Sequence, residues 1–195
     1  MRSTESEAVP AFVAVAERPE ASAVVMTFGG TAVADVEQIL TVALRLAAAR
    51  DAGHRVVGVL SAMGSTTNEL VDLAREVSPK PHERELDMLV SVGERVSCAL
   101  AAMVLIDLGY DAISLTGSQA GIVTDTTHGK AKVVEVRVRR IQEALDRGAI
   151  VLVAGFQGVS TDAEVTTLGR GGSDTTAAAL ATALGADLLE EVPYA

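Results

Sequence analysis

Short apolar runs alternate with stretches of helical period along most of the chain. The runs at 24–28, 55–62 and 150–156 are rich in Val, Leu and Ile and lie close to glycines, which predicts buried strands next to tight turns. Apolar residues recur every three or four positions at 33–47 and 83–108, which predicts helices. Further helices are predicted at 69–77, 139–147 and 174–184, and further strands at 111–116 and 132–136. Because parallel strands need crossover connections, this alternation predicts an α/β fold with a mainly parallel sheet covered by helices.

A glycine-rich stretch, Thr-Leu-Gly-Arg-Gly-Gly-Ser-Asp-Thr at 167–175, opens the last predicted helix. Its glycines let backbone amides approach an anion, and Ser173 is interpreted as the N-cap at the partly positive end of the helix. Arg170 is able to hold a carboxylate through two hydrogen bonds, and Asp174 either assists phosphate chemistry or complements the helix dipole. The stretch predicts a phosphate or carboxylate site, and a purely structural turn is the alternative.

Two other segments follow predicted strands and contain the polar groups of a ligand site. Gly29, Gly30 and Thr31 form a turn after the first strand, and the segment 61–68 presents hydroxyl and amide groups after the second. Ligands of open α/β sheets gather at the carboxyl ends of strands, so both segments are candidates. Each is also explained by structure alone, as a tight turn and as the cap of the next helix.

Glu94 and Arg95 lie inside an otherwise apolar predicted helix. A buried charge without a partner is costly, so the two residues either pair with each other, lie at the surface or face a polar site. A mutual or surface pair is the simpler interpretation.

The composition restricts the classes of function. The 195 residues are 49% hydrophobic with a formal net charge of −10, which fits one domain and predicts no binding to nucleic acid or to an anionic membrane. The single cysteine, Cys98, cannot form an internal disulfide, and no basic start precedes a long apolar run, so we expect a cytoplasmic protein without a signal peptide. His54, His82 and His128 lack the spacing of metal ligands, and no metal site is assigned.

Taken together, the motifs resemble those of aspartate kinase in the amino-acid kinase family. They occur in the family's order: Phe-Gly-Gly-Thr at 28–31, Val-Leu-Ser-Ala-Met-Gly at 59–64, Glu-Leu-Asp-Met-Leu at 85–89, Gly-Glu-Arg-Val-Ser at 93–97, the run 115–125, Val-Ala-Gly-Phe-Gln-Gly at 153–158, and 166–176. The resemblance implies a three-layer αβα sandwich in which 24–187 is the amino-terminal, substrate-binding lobe. The residues 1–23 are predicted to form a mobile arm, and 188–195 a short tail.

The resemblance also implies a reaction and the residues that serve it. Aspartate kinases transfer a phosphoryl group from MgATP to the side-chain carboxylate of aspartate. By motif position, Glu94 would meet the substrate ammonium and Arg170 a carboxylate. The residues that match the amino-acid site are Ser61, Thr67, Glu94, Arg170 and Ser173; those that match the catalytic groups are Arg170 and Asp174; those that match the phosphate-binding turn are Thr27, Gly29, Gly30 and Thr31.

Three features depart from the family pattern. The family has lysine before Phe-Gly-Gly, where this chain has Thr27, and that lysine neutralises charge on the transferring phosphates. Its loss predicts a rate lower by about a thousandfold or more, so the phosphate-binding turn is interpreted as vestigial. The chain also stops at Ala195, before the family's nucleotide-binding lobe is complete, and Val92 replaces the usual threonine, which predicts a more apolar amino-acid pocket.

Three hypotheses of function follow, and we favour the first. In the first, the protein has lost ATP-dependent phosphoryl transfer and is repurposed to bind or transform an amino acid or carboxylate, for instance in a specialised biosynthetic pathway, without a cofactor. In the second, it is a weak aspartate kinase, or one that needs a partner chain, and uses MgATP. In the third, it is a non-catalytic structural or regulatory subunit. The expected partners are a small-molecule amino acid or carboxylate and a further chain, in a homodimer or a hetero-complex.

Overall fold

The apolar runs of the sequence form the strands of two sheets in the computed structural model, which describes residues 22–186 and 188–191. In chain order, the elements are β1 (Ala23–Phe28), a 3-10 helix (Gly30–Val33), α1 (Val36–Asp51), β2 (Arg55–Leu60), α2 (Thr66–Val77), α3 (Glu83–Val90), α4 (Val92–Asp107), β3 (Ala112–Leu115), β4 (Ile122–Thr124), β5 (Val133–Val136), α5 (Arg139–Asp146), β6 (Ile150–Ala154), β7 (Gln157–Ser160), β8 (Val165–Thr167), α6 (Gly172–Leu184) and β9 (Leu188–Glu191).

The larger sheet has the strand order β3-β6-β2-β1-β9, and every neighbouring pair in it is parallel. Successive side chains of a strand lie on opposite faces of the sheet. In β1, Val24, Met26 and Phe28 pack with α1 and α4, whereas Val25 belongs to the core formed with α5 and α6. Helices therefore cover both faces, which confirms the predicted three-layer αβα sandwich with a mainly parallel sheet.

The smaller sheet is not predicted by the sequence. Its order is β5-β4-β7-β8, with β4 and β7 parallel and the other two pairs antiparallel. Only β5 coincides with a predicted strand, because β4 has three residues and β7 and β8 consist mostly of polar residues and glycine. This sheet ends at β8, and the glycine-rich stretch leads from there into α6.

The predicted long helix at 83–108 is two helices, α3 and α4, which meet at Ser91. The carbonyl of Ser91 accepts a hydrogen bond from the buried side chain of Gln157 (2.6 Å), and the Ser91 hydroxyl donates to the carbonyl of Met88 (3.1 Å). By length and composition the stretch 83–107 could cross a membrane. It is half buried inside the protein, and Cys98, Ala101 and Leu105 pack in the core, so we describe α4 as a core helix.

The predicted arm, 1–23, lies outside the described residues except for its last two positions, where Ala23 begins β1. Within the predicted tail, Leu188–Glu191 forms β9, which pairs in parallel with β1. Residues 192–195 lie outside the described part of the chain.

Candidate functional site

A pocket of about 800 Å³ opens at the carboxyl ends of β1 and β2. The amino-terminal turns of α4 and α6 and the glycine-rich loop complete its wall. Two adjacent parallel strands thus end at the same edge of the sheet, which is where ligands of open α/β sheets bind. The lining residues are Thr27, Gly29, Gly30, Ser61, Ala62, Gly64, Thr67, Glu94, Phe156, Gly169, Arg170, Gly171, Gly172, Ser173 and Asp174.

Three hydrogen bonds cross between these elements. From the end of β1, the Thr27 hydroxyl donates to Asp174 Oδ1 (3.2 Å). After β2, the Ser61 hydroxyl donates to Ser173 Oγ (2.8 Å), and the next amide, of Ala62, donates to Glu94 Oε1 (3.3 Å). Asp174 and Glu94 therefore both line the pocket but contact different strand ends, Asp174 that of β1 and Glu94 that of β2.

Glu94 is the most unusual group in the pocket. Only 3% of its surface is exposed, and its Oε2 atom has no hydrogen-bond partner among the described residues. Burial, partly offset by the Ala62 amide, raises the pKa of its carboxyl from 4.5 to about 7. The interpretation as a mutual or surface pair is wrong, because within the described residues Glu94 and Arg95 form no ion pair; Arg95 donates to Ser91 Oγ instead (3.2 Å).

The start of α4 lies unusually close to the end of β2. A Cβ atom built on Gly93 would lie 2.6 Å from the Cβ of Ala62, so only glycine fits there without a shift. One turn further along α4, the Ser97 hydroxyl donates to the carbonyl of Ser61 (2.7 Å). These contacts fix the helix that carries Glu94 against the strand end that carries Ser61.

The glycine-rich loop uses its glycines for left-handed backbone and for close packing. Gly171, with a φ of 72°, is the N-cap of α6, so the prediction of Ser173 as the N-cap is wrong. Ser173 is a buried residue of the first turn, and its hydroxyl contacts Ser61. A Cβ on Gly172 would lie 2.9 Å from the ring of Phe156, which itself has a φ of 66°. Such a conformation is costly for a bulky residue and is often found at ligand sites.

Arg170 and Asp174 are the exposed charged residues of the pocket. Arg170 forms no ion pair or side-chain hydrogen bond within the described residues, and its guanidinium is therefore available to a ligand carboxylate. Asp174 lies in the first turn of α6, where its charge complements the helix dipole.

The pocket brings together nearly all of the residues that the sequence predicts for the site. Thr31 is the exception: it lies in the 3-10 helix, is exposed and does not line the pocket. Val92 is also absent from the lining and is 43% exposed, so the expected change in pocket polarity at this position is wrong.

A second buried carboxylate, Asp87, positions the glycine-rich loop from outside the pocket, a role that is not predicted from the sequence. Asp87 is 1% exposed and accepts hydrogen bonds from the Thr167 hydroxyl (2.6 Å) and from the amide of Gly129 (3.1 Å). Its Oδ2 is 2.8 Å from Nδ1 of His128. Asp87 therefore ties the turn at 128–129 to the last residue of β8, immediately before the loop.

The described residues fit parts of a phosphate-binding site. The glycines at 29, 30, 169 and 171 allow close approach to phosphate oxygens, whereas Arg170 is the only basic side chain among the described residues of the lining. No group of three or more His, Cys, Asp or Glu side chains suited to a metal ion occurs in the described ranges.

Known proteins with similar sequences are aspartokinases. The chain is 59% identical over 168 residues to an aspartokinase of Mycolicibacterium smegmatis, which covers 86% of this chain and 40% of that protein. It is 52% identical over 164 residues to aspartokinase 2 of Bacillus subtilis, covering 84% of this chain and 40% of the relative. The chain thus spans about two fifths of the length of the curated relatives it matches.

Solved structures of aspartate kinases have the same fold. The aspartate kinase of Synechocystis superposes with a TM-score of 0.77 at 46% identity, covering 89% of this chain and 29% of that one. Aspartokinase III of E. coli, solved in complex with aspartate and ADP, gives a TM-score of 0.77 at 27% identity, covering 87% and 48%. The sequence profile of the family described as "Amino acid kinase family" matches residues 22–191. The chain therefore belongs to the amino acid kinase family, as its motifs and its fold indicate.

Proposed function

We propose that this domain binds an α-amino acid in the pocket at the ends of β1 and β2. Glu94 holds the ligand ammonium, Arg170 holds a carboxylate, and the hydroxyl groups of Ser61, Thr67 and Ser173 complete the polar contacts. The observation that carries this proposal is the buried carboxylate of Glu94, whose Oε2 atom has no partner in the described residues and whose side chain belongs to a residue that lines the pocket.

A ligand ammonium would offset the free-energy cost of burying the charged Glu94 carboxylate without a partner. A carboxylate that is removed from water and lacks partners is destabilised relative to its protonated form, which is why its pKa is raised. An ammonium group in hydrogen-bond contact with Oε2 would restore the charged form and supply the missing donor. Arg170, exposed and unpaired within the described residues, supplies the complementary charge for the carboxylate of the same ligand.

Phosphoryl transfer by this pocket is proposed to be slow. MgATP, when bound, would supply the phosphoryl group, and the glycine amides at 29, 30, 169 and 171 would hold phosphate oxygens. The neutral hydroxyl of Thr27 lies at the end of β1, bonded to Asp174, where the family resemblance leads us to expect a lysine. Without that charge, Arg170 is the one cation among the described lining residues to stabilise the transferring group.

Amino-acid binding is tested by titration calorimetry of the purified chain with L-aspartate and other L-amino acids. We expect binding to the wild type and loss of about tenfold or more in affinity for Arg170→Gln, because a charge-assisted contact is removed. Arg147→Gln is the matched control, since Arg147 lies at the end of α5, outside the pocket. Absence of binding by every amino acid, or equal loss in both variants, would contradict the proposal.

The second candidate function is aspartate kinase activity, in the cytoplasm and with MgATP. The retention of Arg170, Ser173 and Asp174 in one pocket favours it. A chimera tests the two candidates against each other: residues 22–186 replace the matching part of the Mycolicibacterium smegmatis aspartokinase. We expect little ADP formation, and an increase of about a thousandfold on Thr27→Lys, with Thr27→Met as the uncharged control. Full activity with Thr27 in place would instead support the kinase.

A further inference from the structure

The charged groups of the pocket do not balance. Among the described residues of the lining, the charged side chains are Glu94, Arg170 and Asp174, two carboxylates and one guanidinium. An amino acid such as aspartate would bring two more carboxylates and a single ammonium. The filled pocket would then carry an excess of negative charge at close range, which disfavours binding.

The two carboxylates of the pocket, Glu94 and Asp174, occupy different positions in it. Glu94 and Asp174 contact different strand ends: Glu94 accepts from the Ala62 amide after β2, and Asp174 accepts from the Thr27 hydroxyl in β1. If the α-ammonium of the ligand meets Glu94 and the α-carboxylate meets Arg170, Asp174 is the charged group of the described lining that is left for the ligand side chain. Within the described residues, the side-chain donor to Asp174 is the neutral hydroxyl of Thr27.

The partial positive charge at the amino end of α6 does not cancel this negative charge. A helix start contributes the equivalent of about half a positive charge. Asp174, in the first turn of α6, places a full negative charge at the same end. The groups that face the side chain of the ligand therefore favour a cation over an anion.

We propose that the site prefers an amino acid with a second ammonium group on a short side chain, that is, a small diamino monocarboxylic acid. The second ammonium contacts the Asp174 carboxylate beside Thr27, the first contacts Glu94, and the single carboxylate contacts Arg170. Each charged group of the ligand then meets one opposite charge. This inference rests on the proposed amino-acid binding and specifies its ligand class.

Calorimetry with three amino acids of equal carbon count separates the inference from the proposed function. L-2-aminobutyrate has only the α-groups, L-aspartate adds a carboxylate, and L-2,4-diaminobutyrate adds an ammonium. We expect diaminobutyrate to bind about tenfold more tightly than aminobutyrate, and aspartate about tenfold more weakly, with both ratios shrinking as salt is raised. Aspartate binding as tightly as diaminobutyrate overturns the inference and leaves the proposed function standing. No binding by any of the three overturns both.

Asp174→Asn tests the assigned contact. We expect the ratio of the aspartate Kd to the diaminobutyrate Kd to fall by about tenfold or more, because the carboxylate that selects the ammonium is gone. Asp162→Asn makes the same change of net charge at an exposed residue outside the pocket and should leave the ratio unchanged. A ratio that is the same in wild type and Asp174→Asn, or that moves equally in both variants, overturns the inference.

Discussion

Replacement of Glu94 by glutamine should remove a specific part of the pH dependence of folding. Its pKa is 4.5 in an ordinary setting and about 7 in the folded chain. Between these pH values the folded chain keeps a proton that the unfolded chain has lost, so the stability of the wild type falls as pH rises through this window. A difference of this size corresponds to about 3 kcal/mol. Glutamine keeps the shape and an acceptor for the Ala62 amide and does not ionise.

The assay is urea denaturation, followed by circular dichroism, of wild type and Glu94→Gln without added ligand. The quantity of interest is the difference in unfolding free energy between the two proteins at a series of pH values, because all other titrating groups cancel in it. We expect this difference to shift by about 3 kcal/mol in favour of Glu94→Gln between pH 4.5 and 7.5, most of it complete by pH 7.

Glu76→Gln is the control for this experiment. Glu76 is an exposed residue of α2, so its replacement makes the same chemical change without the burial that acts on Glu94. A difference for Glu94→Gln that stays flat with pH would refute the reasoning, because it would mean that Glu94 does not retain a proton in the unliganded, folded chain.

Two further substitutions test the framework of the site. Asp87→Asn should destabilise the fold by about 2 kcal/mol, because a buried charged acceptor of the Thr167 and Gly129 hydrogen bonds is weakened. It should also speed amide hydrogen exchange at 128–131; unchanged exchange would contradict the positioning role. Gly93→Ala should cost about 1–3 kcal/mol and weaken amino-acid binding, since the new methyl group would lie 2.6 Å from the Cβ of Ala62. If Gly93→Ala leaves stability and calorimetric affinity unaltered, α4 is free to move away from Ala62 and the close contact is not required.

Three strands of the main sheet, β1, β2 and β6, follow from the sequence because they are buried on both faces. The strands β1, β2 and β6 are continuous runs of apolar residues next to glycine, and such runs identify buried parallel strands without knowledge of their neighbours. The smaller sheet lacks this signal. Its strands β7 and β8 contain Gln157, Ser160, Thr166 and Thr167, polar residues that are buried through contacts with distant segments.

Long-range contacts explain two other differences from prediction, and the backbone conformation of one glycine explains a third. The break between α3 and α4 depends on the bond from Gln157 to Ser91, which are 66 positions apart. The buried state of Glu94 depends on the approach of α4 to Ala62, and the N-cap of α6 depends on the left-handed backbone at Gly171. Local period and propensity contain none of this information.

The residues of the candidate site could be predicted from the sequence, but their contacts and burial could not. Motif order identified Ser61, Glu94, Arg170 and Ser173, and all four line one pocket. The role of Asp87 was missed because its partners, His128 and Thr167, lie 41 and 80 positions away. The signal in the sequence was the position of Asp87 in the family motif at 85–89, as an acidic residue next to apolar ones.

Proton release on ligand binding tests the central claim, that Glu94 receives the ammonium group of an amino acid. With a pKa of about 7, Glu94 in the unliganded chain is about half protonated at pH 7, and contact with an ammonium favours the charged form. Calorimetric titrations in buffers of different ionisation enthalpy measure the protons released. We predict about half a proton released per amino acid bound at pH 7 by the wild type and none by Glu94→Gln. Binding without proton release in the wild type, or the same release in the variant, would contradict the account.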